Sequence, residues 1–315
     1  MTSIGYSPPV CVIVPNYNGL ENLRECLQSL RELQYKNFKV TVVDNGSTDG
    51  SCEMVDSAFG EVDVMRLKKR VGYGQAVNEG IRNCTAKYVA LLDNDACVDP
   101  TWLTEIVAHL ETDLTVGIAG SKVYFHGSDR KFYSAGGLLN SKNGFVHVLG
   151  LGEIDRGQYD RLRFLDWVAG CSIVVRRDLI SSIGYMDEGY ELYREEVDLC
   201  FRARRVGYKV LFVPSSVVWH KVSQTTSMLG TKFYYLHRSW IRFCLVNLTS
   251  VFAVIGSIYA ATFTLMEATG QLSRGSAKEL RAAVSAILWN LFSFRRILAR
   301  RAFVSWTISN ASVNG

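Results

Sequence analysis

Apolar and polar positions alternate along the first hundred residues in blocks that predict strands and helices in turn. Short apolar runs, rich in β-branched residues, predict four strands at Val10–Val14, Phe38–Val43, Asp63–Leu67 and Tyr88–Leu92. Helical spacing of the apolar residues between them predicts helices at Leu20–Leu33, Ser51–Phe59 and Gly74–Cys84. Strands that alternate with helices in this way predict an α/β fold, with a mostly parallel central sheet and helices on both faces.

The pattern changes in the next hundred residues. Strand-like pieces alternate with glycine-rich turns over residues 115–177. Helical spacing then predicts a helix over Arg194–Val206, and an apolar run predicts a strand over Lys209–Val213 that ends at the following proline. Inside that helix, Asp198 and Arg202 stand four residues apart, and we expect them to form an exposed ion pair.

The last 75 residues combine apolar stretches with positive charge. Residues 241–315 hold eight Lys and Arg against two Asp and Glu, a net charge of +6, so the rest of the chain carries −1 of the total of +5. Residues 243–266 contain no charged side chain and are long enough to span a bilayer, but a core helix or an interfacial helix is equally consistent with their polar content. Residues 276–304 predict an amphipathic helix. Four arginines cluster near its end: Arg295, Arg296, Arg300 and Arg301.

This charge distribution predicts a helical tail that meets an anionic membrane surface. The alternative is a basic face that packs on the same protein. Nucleic-acid binders usually spread basic residues over the folded domain, so no nucleic-acid partner is expected. The eight cysteines show no C-x-x-C spacing, and the first nine residues lack the features of a signal peptide, which predicts reduced thiols and a cytoplasmic location.

Three polar segments follow predicted strands, at the end of a parallel sheet where ligands bind. They are Pro15-Asn16-Tyr17-Asn18, Asp44-Asn45-Gly46-Ser47 and Asp93-Asn94-Asp95. Each alone is typical of a turn, but three at one edge indicate a ligand site. The D-x-D carboxylates supply oxygen ligands for Mg²⁺ or Mn²⁺, and such an ion stabilises a diphosphate leaving group. The sequence contains neither G-x-G-x-x-G nor G-x-x-x-x-G-K-[ST], which excludes the dinucleotide fingerprint and the P-loop.

Carboxylates also begin the predicted helix over Arg194–Val206. Glu196, Cys200 and Ala203 follow helical spacing, so Glu196 can border the inward face. A carboxylate there can take a proton from a hydroxyl group. The alternative is a set of solvated acids that the helix dipole stabilises.

Together these motifs resemble inverting GT-A glycosyltransferases of family 2, in particular the rhamnosyltransferase-like subgroup. The first half of the resemblance is carried by VIVPNYNGLENLRECLQSL, VTVVDNGSTDGS, GYGQAVNEGI and YVALLDNDACVDPTWL. The second half is carried by WVAGCSIVVRRDLISSIGYMDE, ELYREEVDLCFRARRVGYKVLFVPSSVVWH and YYLHRSW. The resemblance implies a catalytic domain over residues 1–240, with a nucleotide-sugar half at about 9–112 and an acceptor half at about 113–240. The tail, 241–315, would be a separate unit that associates with a membrane.

The resemblance also implies roles for individual residues. Those implied to bind the nucleotide sugar are Pro15, Tyr17, Asn18, Asp44, Asp93 and Arg238. Those implied to bind Mn²⁺ or Mg²⁺ are Asp93, Asp95 and His220. Glu196 would be the catalytic base, with Glu195 as its substitute, and Trp167 and Gly170 would face the sugar and the acceptor. An ordinary loop histidine and a core tryptophan are the alternatives for His220 and Trp167.

Two positions depart from the family pattern. Glu196 stands where the family has Asp, and Arg70 stands where it usually has Asn. The first adds one methylene of reach to the base, and the second puts positive charge near the nucleotide pocket.

The implied activity is inverting transfer of a sugar from a nucleotide-diphospho-sugar to an acceptor hydroxyl. The implied acceptor is a lipid-linked or cell-surface glycan at the inner face of the cell membrane. One alternative is a polyprenyl-phosphate sugar synthase, whose phosphate acceptor needs no strong base. The other is an inactive relative that binds sugar nucleotide or membrane.

Overall fold

The computed structural model describes residues 7–128, 130–222, 232–272 and 277–311. Its first four strands are β1 (Val10–Asn16), β2 (Phe38–Asp44), β3 (Asp63–Arg66) and β4 (Tyr88–Leu92). They pair in parallel in the order β4-β1-β2-β3. The helices between them are α1 (Leu20–Arg31), α2 (Ser51–Ala58) and α3 (Tyr73–Arg82). The predicted βαβ organisation is therefore confirmed.

The second part of the chain extends the same sheet. Its elements are β5 (Ala96–Val98), α4 (Trp102–Thr112), β6 (Val116–Phe125), β7 (Phe132–Ser134), β8 (Gly137–Leu139), β9 (Val146–Val148), β10 (Arg163–Leu165), β11 (Ser172–Arg176), α5 (Arg177–Ile183), α6 (Glu195–Arg205) and β12 (Lys209–His220). The strand order is β10-β12-β6-β11-β4-β1-β2-β3, with β5 paired to β12 and β7 to β6. Because β11 runs antiparallel to both β4 and β6, it joins the parallel first half to the parallel pair β6–β12. Strands β8 and β9 form a separate hairpin.

The sheet is buried on both faces. Along β1, Val12 and Val14 belong to the apolar cluster that contains α1 and α4, whereas Ile13 belongs to the cluster on the other face. Alternating side chains of a strand point to opposite faces, so an uninterrupted apolar run suits a strand covered on both sides. This burial on both faces explains why Val10–Val14 is apolar at every position.

Strand β12 runs further than predicted. It passes Pro214 and ends at His220, with an irregular register against β6 between Val213 and Val217. A proline cannot donate to the ladder and is tolerated at such a bulge, so the predicted end at Pro214 is wrong. The extra residues bring His220 beside Ala96 of β5, at the end of the sheet where β4 also ends.

The predicted exposed ion pair is wrong. Asp198 and Arg202 are both buried, with Arg202 Nε 2.8 Å from Asp198 Oδ2. Arg202 also donates to the carbonyls of Ile183 and Gly184, and Asn247 donates to Asp198. These bonds satisfy a buried pair that would otherwise be costly, and they join α6 to the end of α5 and to the helix that contains Asn247.

In the described part of the chain, four helices follow the sheet: α7 (Lys232–Asn247), α8 (Ser250–Leu272), α9 (Lys278–Phe292) and α10 (Phe294–Ala311). Most of residues 243–266 therefore belong to two helices, α7 and α8, and most of residues 278–304 belong to α9 and α10, which meet at a bend of 64°. The single helices expected at these positions are wrong. Helix α7 runs through residue 240 without a break, across the expected domain boundary. Within α8, Ser250–Gly270 is long and apolar enough to cross a membrane, and 28% of its most apolar window is buried.

Candidate active site

A cavity of about 920 Å³ opens where β1 and β4 end. It is lined by residues from both halves of the chain. The lining includes most of the residues singled out from the sequence: Pro15, Tyr17, Asp93, Asp95, Trp167, Gly170, Glu195, Glu196 and His220. The D-x-D carboxylates and the two glutamates, about a hundred positions apart in sequence, therefore share one cavity.

Three candidate metal ligands lie together in this cavity. His220 Nε2 is 2.9 Å from Asp95 Oδ1 and 3.7 Å from Asp93 Oδ2, and one ligand atom from each residue lies within 4.8 Å of the others. Burial, and then the charge of Asp95, raise the pKa of Asp93 to about 6. Two carboxylates that repel each other beside an imidazole are a suitable donor set for Mn²⁺ or Mg²⁺, so the residues fit the implied ion.

A tyrosine that the sequence reasoning missed orients one of these carboxylates. The hydroxyl of Tyr73 donates to Asp93 Oδ1 at 2.8 Å, and the Tyr73 backbone N–H donates to the carbonyl of Glu191. Hydrogen bonds of this kind fix the position of a metal-binding carboxylate. Tyr73 lies in the GYGQAVNEGI motif that carries the family resemblance. The sequence does not show that its hydroxyl reaches Asp93.

Near the end of β1, Tyr17 and Arg70 line the cavity together. The Arg70 guanidinium lies 4.4 Å from the centre of the Tyr17 ring, a cation–π arrangement. Arg70 is the position that departs from the family pattern, and its charge does face the cavity.

Asp44 and Asn18 hold the loops behind this part of the site and are not among the described residues that line the cavity. Asp44 is 3% exposed and accepts hydrogen bonds from Asn16 Nδ2 at 3.1 Å and from the Ser47 backbone N–H at 3.0 Å. Asn18 Oδ1 accepts from the backbone N–H of Thr48. Their side chains therefore join the first two strand-end segments to each other.

The two glutamates begin α6, after a turn with unusual backbone geometry. Tyr193 (φ 64°) and Arg194 (φ 71°) are both left-handed, a conformation that costs energy for residues other than glycine. Glu195 is 9% exposed, and its Oε2 has no hydrogen-bond partner within the described part of the chain. Burial raises the pKa of both glutamates, and the charge of Glu196 raises that of Glu195 further. Desolvated carboxylates in a cavity, next to a strained turn, are candidates for function.

Gly170 allows α6 to approach the sheet. A Cβ at position 170 would lie 3.1 Å from Glu196 Cβ and 3.2 Å from its Cγ, closer than most such contacts. The glycine therefore gives Glu196 room to reach the cavity.

The apolar part of the lining comes from Trp167, the β9 strand and α7. Trp167 is buried apart from the edge that meets the cavity, and Val146, Val148, Tyr235 and Leu236 complete this wall. Sequence reasoning missed the last four. Val146 and Val148 belong to a hairpin that it did not assign to the site, and on α7 it selected Arg238 rather than Tyr235 and Leu236.

Arg238 is not placed as predicted. It is 1% exposed, and its Nη2 donates to the carbonyls of Gly189 and Tyr190 at 2.7 Å each. Its guanidinium also stacks on Trp289 at 3.9 Å. Arg238 therefore holds the loop before α6, and it is not among the described residues that line the cavity.

Comparisons with known proteins identify the family of this chain. The model of glycosyl transferase family 2 matches residues 11–179. An uncharacterized protein from Sinorhizobium fredii is 28% identical over 229 residues, covering 69% of this chain and 25% of the relative. An uncharacterized glycosyltransferase from Rickettsia typhi is 28% identical over 204 residues, covering 64% and 60%. The chain thus spans a quarter and three fifths of the length of these two relatives. N-acetylglucosaminyl-diphospho-decaprenol L-rhamnosyltransferase from Mycobacterium tuberculosis is 25% identical over 242 residues, covering 68% and 76%.

Solved structures share the fold. TarS 1–349 from S. aureus, in complex with UDP-GlcNAc, has a TM-score of 0.60 at 16% identity, covering 96% of this chain and 89% of that one. A mannosyltransferase from Pyrobaculum calidifontis, in complex with GDP-Man and Mn²⁺, has a TM-score of 0.57 at 18% identity, covering 98% and 88%. Since the family model matches more than half of its residues, this chain belongs to glycosyl transferase family 2, and its fold is that of the GT-A glycosyltransferases.

Proposed function

We propose that this protein is a metal-dependent inverting glycosyltransferase that moves a sugar from a nucleotide-diphospho-sugar to an acceptor hydroxyl. The observation that carries the proposal is the shared cavity, in which a metal-ligand cluster and two buried glutamates meet. The metal-ligand cluster would serve donor binding, and the glutamates would serve proton removal. A transferase needs both within reach of one reacting carbon.

On the donor side, Asp93, Asp95 and His220 would hold Mn²⁺ or Mg²⁺, and such an ion neutralises the diphosphate as it leaves. Tyr17 and Arg70 offer an aromatic face and a positive charge to the nucleotide. We assign Pro15, Asn18 and Asp44 to the nucleotide pocket as well. Asp44 accepts hydrogen bonds from Asn16 and Ser47 and also accepts one from the Cys52 thiol, so its role would be to hold the strand-end loops that shape this pocket.

On the acceptor side, Glu196 takes the proton of the attacking hydroxyl, with Glu195 as the alternative base. A raised pKa makes a carboxylate a stronger base, so the burial of Glu196 serves this role. The acceptor oxygen bonds to the anomeric carbon while the carbon–oxygen bond to the diphosphate breaks on the opposite face. A single displacement of this kind inverts the configuration. Trp167 and Gly170 line the same space and would face the sugar and the acceptor.

The acceptor proposed is a lipid-linked or cell-surface glycan, used at the cytoplasmic face of the membrane. The apolar wall of the cavity and the apolar C-terminal helices support a lipid-linked molecule. The printed name of the Mycobacterium tuberculosis relative specifies a diphospho-decaprenol acceptor, which is of this class.

The test is donor turnover with a panel of nucleotide sugars and polyprenyl-linked acceptors, with and without Mn²⁺. We expect turnover that requires the ion and an NMR spectrum that shows inversion at the anomeric carbon. A retained configuration would contradict the single displacement. Transfer to a polyprenyl phosphate with Glu196→Gln fully active would point instead to a sugar-phosphate synthase. Absence of turnover with every donor would contradict the assignment as a transferase.

A further inference from the structure

The helix α8 carries its small residues inward and its large apolar residues outward. The buried positions follow one stripe: Ala253, Gly256, Ala260, Thr264 and Ala268. The exposed positions include Val251, Val254, Ile255, Ile258 and Met266. A helix on a water-facing surface has the opposite arrangement, with its larger apolar side chains against the core. The outer side of α8 is therefore built for an apolar environment.

Helix α9 repeats this arrangement, and α10 exposes large apolar side chains as well, although it buries Ile297, Val304 and Ile308. In α9, Ala283 and Ala286 are buried, whereas Phe292 is 84% exposed. In α10, Trp306 is 65% exposed and Leu298 is 46% exposed. We call the following residues the outer apolar face: Val251, Val254, Ile255, Ile258, Met266, Leu291, Phe292, Leu298 and Trp306. Extended exposed apolar surfaces on proteins mark an interaction with another protein or with a membrane.

Positive charge accompanies this face. Lys278, Arg281, Arg295 and Arg296 are exposed on α9 and α10. The acidic residues in the described part of α8–α10 are Glu267 and Glu279. Arginine and lysine beside large apolar side chains complement anionic lipid headgroups above an acyl layer. They do not complement a second copy of the same positive face.

The other two arginines of the C-terminal cluster are used inside the protein. Arg301 Nη1 donates to the carbonyl of Leu245 at 2.8 Å, and Arg300 Nε lies 3.7 Å from Asp187 Oδ2. Of the four arginines predicted to meet a membrane, Arg295 and Arg296 are exposed and available to a surface. The other two hold α10 against the domain.

The packing of α8 favours a surface position over a spanning one. Its buried stripe from Ala253 to Ala268 extends about 24 Å and faces α7 and α9. Helix α7 buries Arg238 and Arg242 against the catalytic domain. A spanning α8 in this packing would bring those charges to the depth of the hydrocarbon, which is costly.

We propose that α8, α9 and α10 form a monotopic membrane-binding surface, with the outer apolar face inserted at the headgroup boundary of an anionic bilayer. The surface connects to the cavity through aromatic contacts. Trp240 of α7 touches Tyr259 of α8 (5.9 Å between ring centres) and Phe145 (5.6 Å), which precedes the cavity-lining Val146. A lipid-linked acceptor held in the bilayer would thus approach the site along an apolar edge. Only this last step rests on the proposed function.

The experiment is flotation of the purified full chain with vesicles of phosphatidylcholine alone or with added phosphatidylglycerol, at low and high salt. We expect binding to the anionic vesicles and release by salt. Each basic residue at such a surface contributes a factor on the order of five, so Arg295→Gln with Arg296→Gln should weaken partitioning about 25-fold. Phe292→Ser with Trp306→Ser should weaken it too. The matched controls are Lys36→Gln with Lys39→Gln, and Leu114→Ser, exposed residues of the first half and of the loop before β6.

Four results would overturn the proposal. The first is no binding to anionic vesicles, and the second is equal binding by the variants and the wild type. The third is a dimer in light scattering that Phe292→Ser with Trp306→Ser dissociates, since the outer apolar face would then bind a second copy. The fourth is retention on the vesicles at high salt, which would show a spanning helix. Since flotation needs no sugar donor, an inactive enzyme that still binds vesicles would contradict the proposed function alone.

Discussion

Arg242 of α7 forms a bidentate salt bridge with Asp187, in the segment that leads to the two cavity glutamates. Arg242 Nη2 lies 2.9 Å from Asp187 Oδ1 and 2.7 Å from Oδ2, and both side chains are almost fully buried. A Cβ at Gly189 would lie only 2.2 Å from Arg242 Nη2, so the segment packs directly on the guanidinium. The first C-terminal helix therefore supports the active-site segment.

We expect Arg242→Met to destabilise the protein by about 3–5 kcal/mol, since it leaves the buried Asp187 carboxylate without its main partner. Urea unfolding would measure this. The exposed Arg281→Met is the control and should change the free energy of unfolding by no more than about 0.5 kcal/mol. Equal stability of the two variants would show that the bridge does not support the fold. By the same reasoning, a chain cut at residue 240 loses Arg242 and cannot isolate membrane binding.

Glu196→Gln should lower kcat about 10²- to 10⁴-fold while leaving the affinity for the donor nearly unchanged, because the amide fits the site but cannot accept the proton. Steady-state kinetics with nucleoside diphosphate release would show the change. Glu32→Gln, an exposed acid at the end of α1, is the control. If Glu195→Gln carries the loss and Glu196→Gln does not, the roles of the two glutamates are exchanged.

The pH dependence of kcat/KM should show an acid limb set by Glu196. Burial raises the pKa of this carboxyl above its ordinary value of about 4.3. A base works when deprotonated, so activity is present above the raised pKa and is lost as the pH falls through it. The limb should vanish in Glu196→Gln. A wild-type limb at or below the ordinary glutamate value would show that the working base is not desolvated.

The sheet and the strand-end segments were predictable because each depends on local pattern. An apolar run such as Val10–Val14 specifies a strand buried on both faces, and the polar residues after it then fall at the binding edge. The local sequence pattern predicts the metal cluster only in part, and the family resemblance supplied His220. Asp93 and Asp95 are adjacent to β4, but His220 reaches them because β12 bulges past Pro214, and a local pattern does not show this.

The features that the sequence did not predict depend on contacts between residues far apart in the chain. Asp198 and Arg202 have ordinary surface spacing, and their burial depends on Asn247, which approaches from α7. Arg238 likewise has the charge that a diphosphate needs, but the loop carbonyls of Gly189 and Tyr190 take its donors. The helices of the tail were predicted as two long elements because apolar content does not show where a chain turns.

Glu195→Gln should stabilise the protein, and by more at higher pH. Burial raises the pKa of Glu195 in the folded state, so the charged form is penalised relative to the unfolded chain. Below the unfolded pKa of about 4.3, Glu195 is neutral in both states, so its burial carries no charge penalty. Above it the penalty grows until the pH passes the raised value. Thermal unfolding of both proteins between acid and alkaline pH should show a difference in Tm that widens with pH. A constant difference would show that Glu195 titrates normally in the fold.

Mn²⁺ should raise the Tm of the wild type through the cluster of Asp93, Asp95 and His220. A ligand at a hundred times its Kd stabilises the state that binds it by about 2.7 kcal/mol. Asp95→Asn keeps the shape of the side chain but removes a charge, so it should abolish most of this rise. Glu25, Cys97 and His126 form a second group that could hold an ion, although Lys221 Nζ already lies 2.7 Å from the Glu25 carboxylate. Glu25→Gln is therefore the matched control. A shift that survives Asp95→Asn and disappears in Glu25→Gln would place the ion at the second group, and the donor diphosphate would then lack its counter-charge in the cavity.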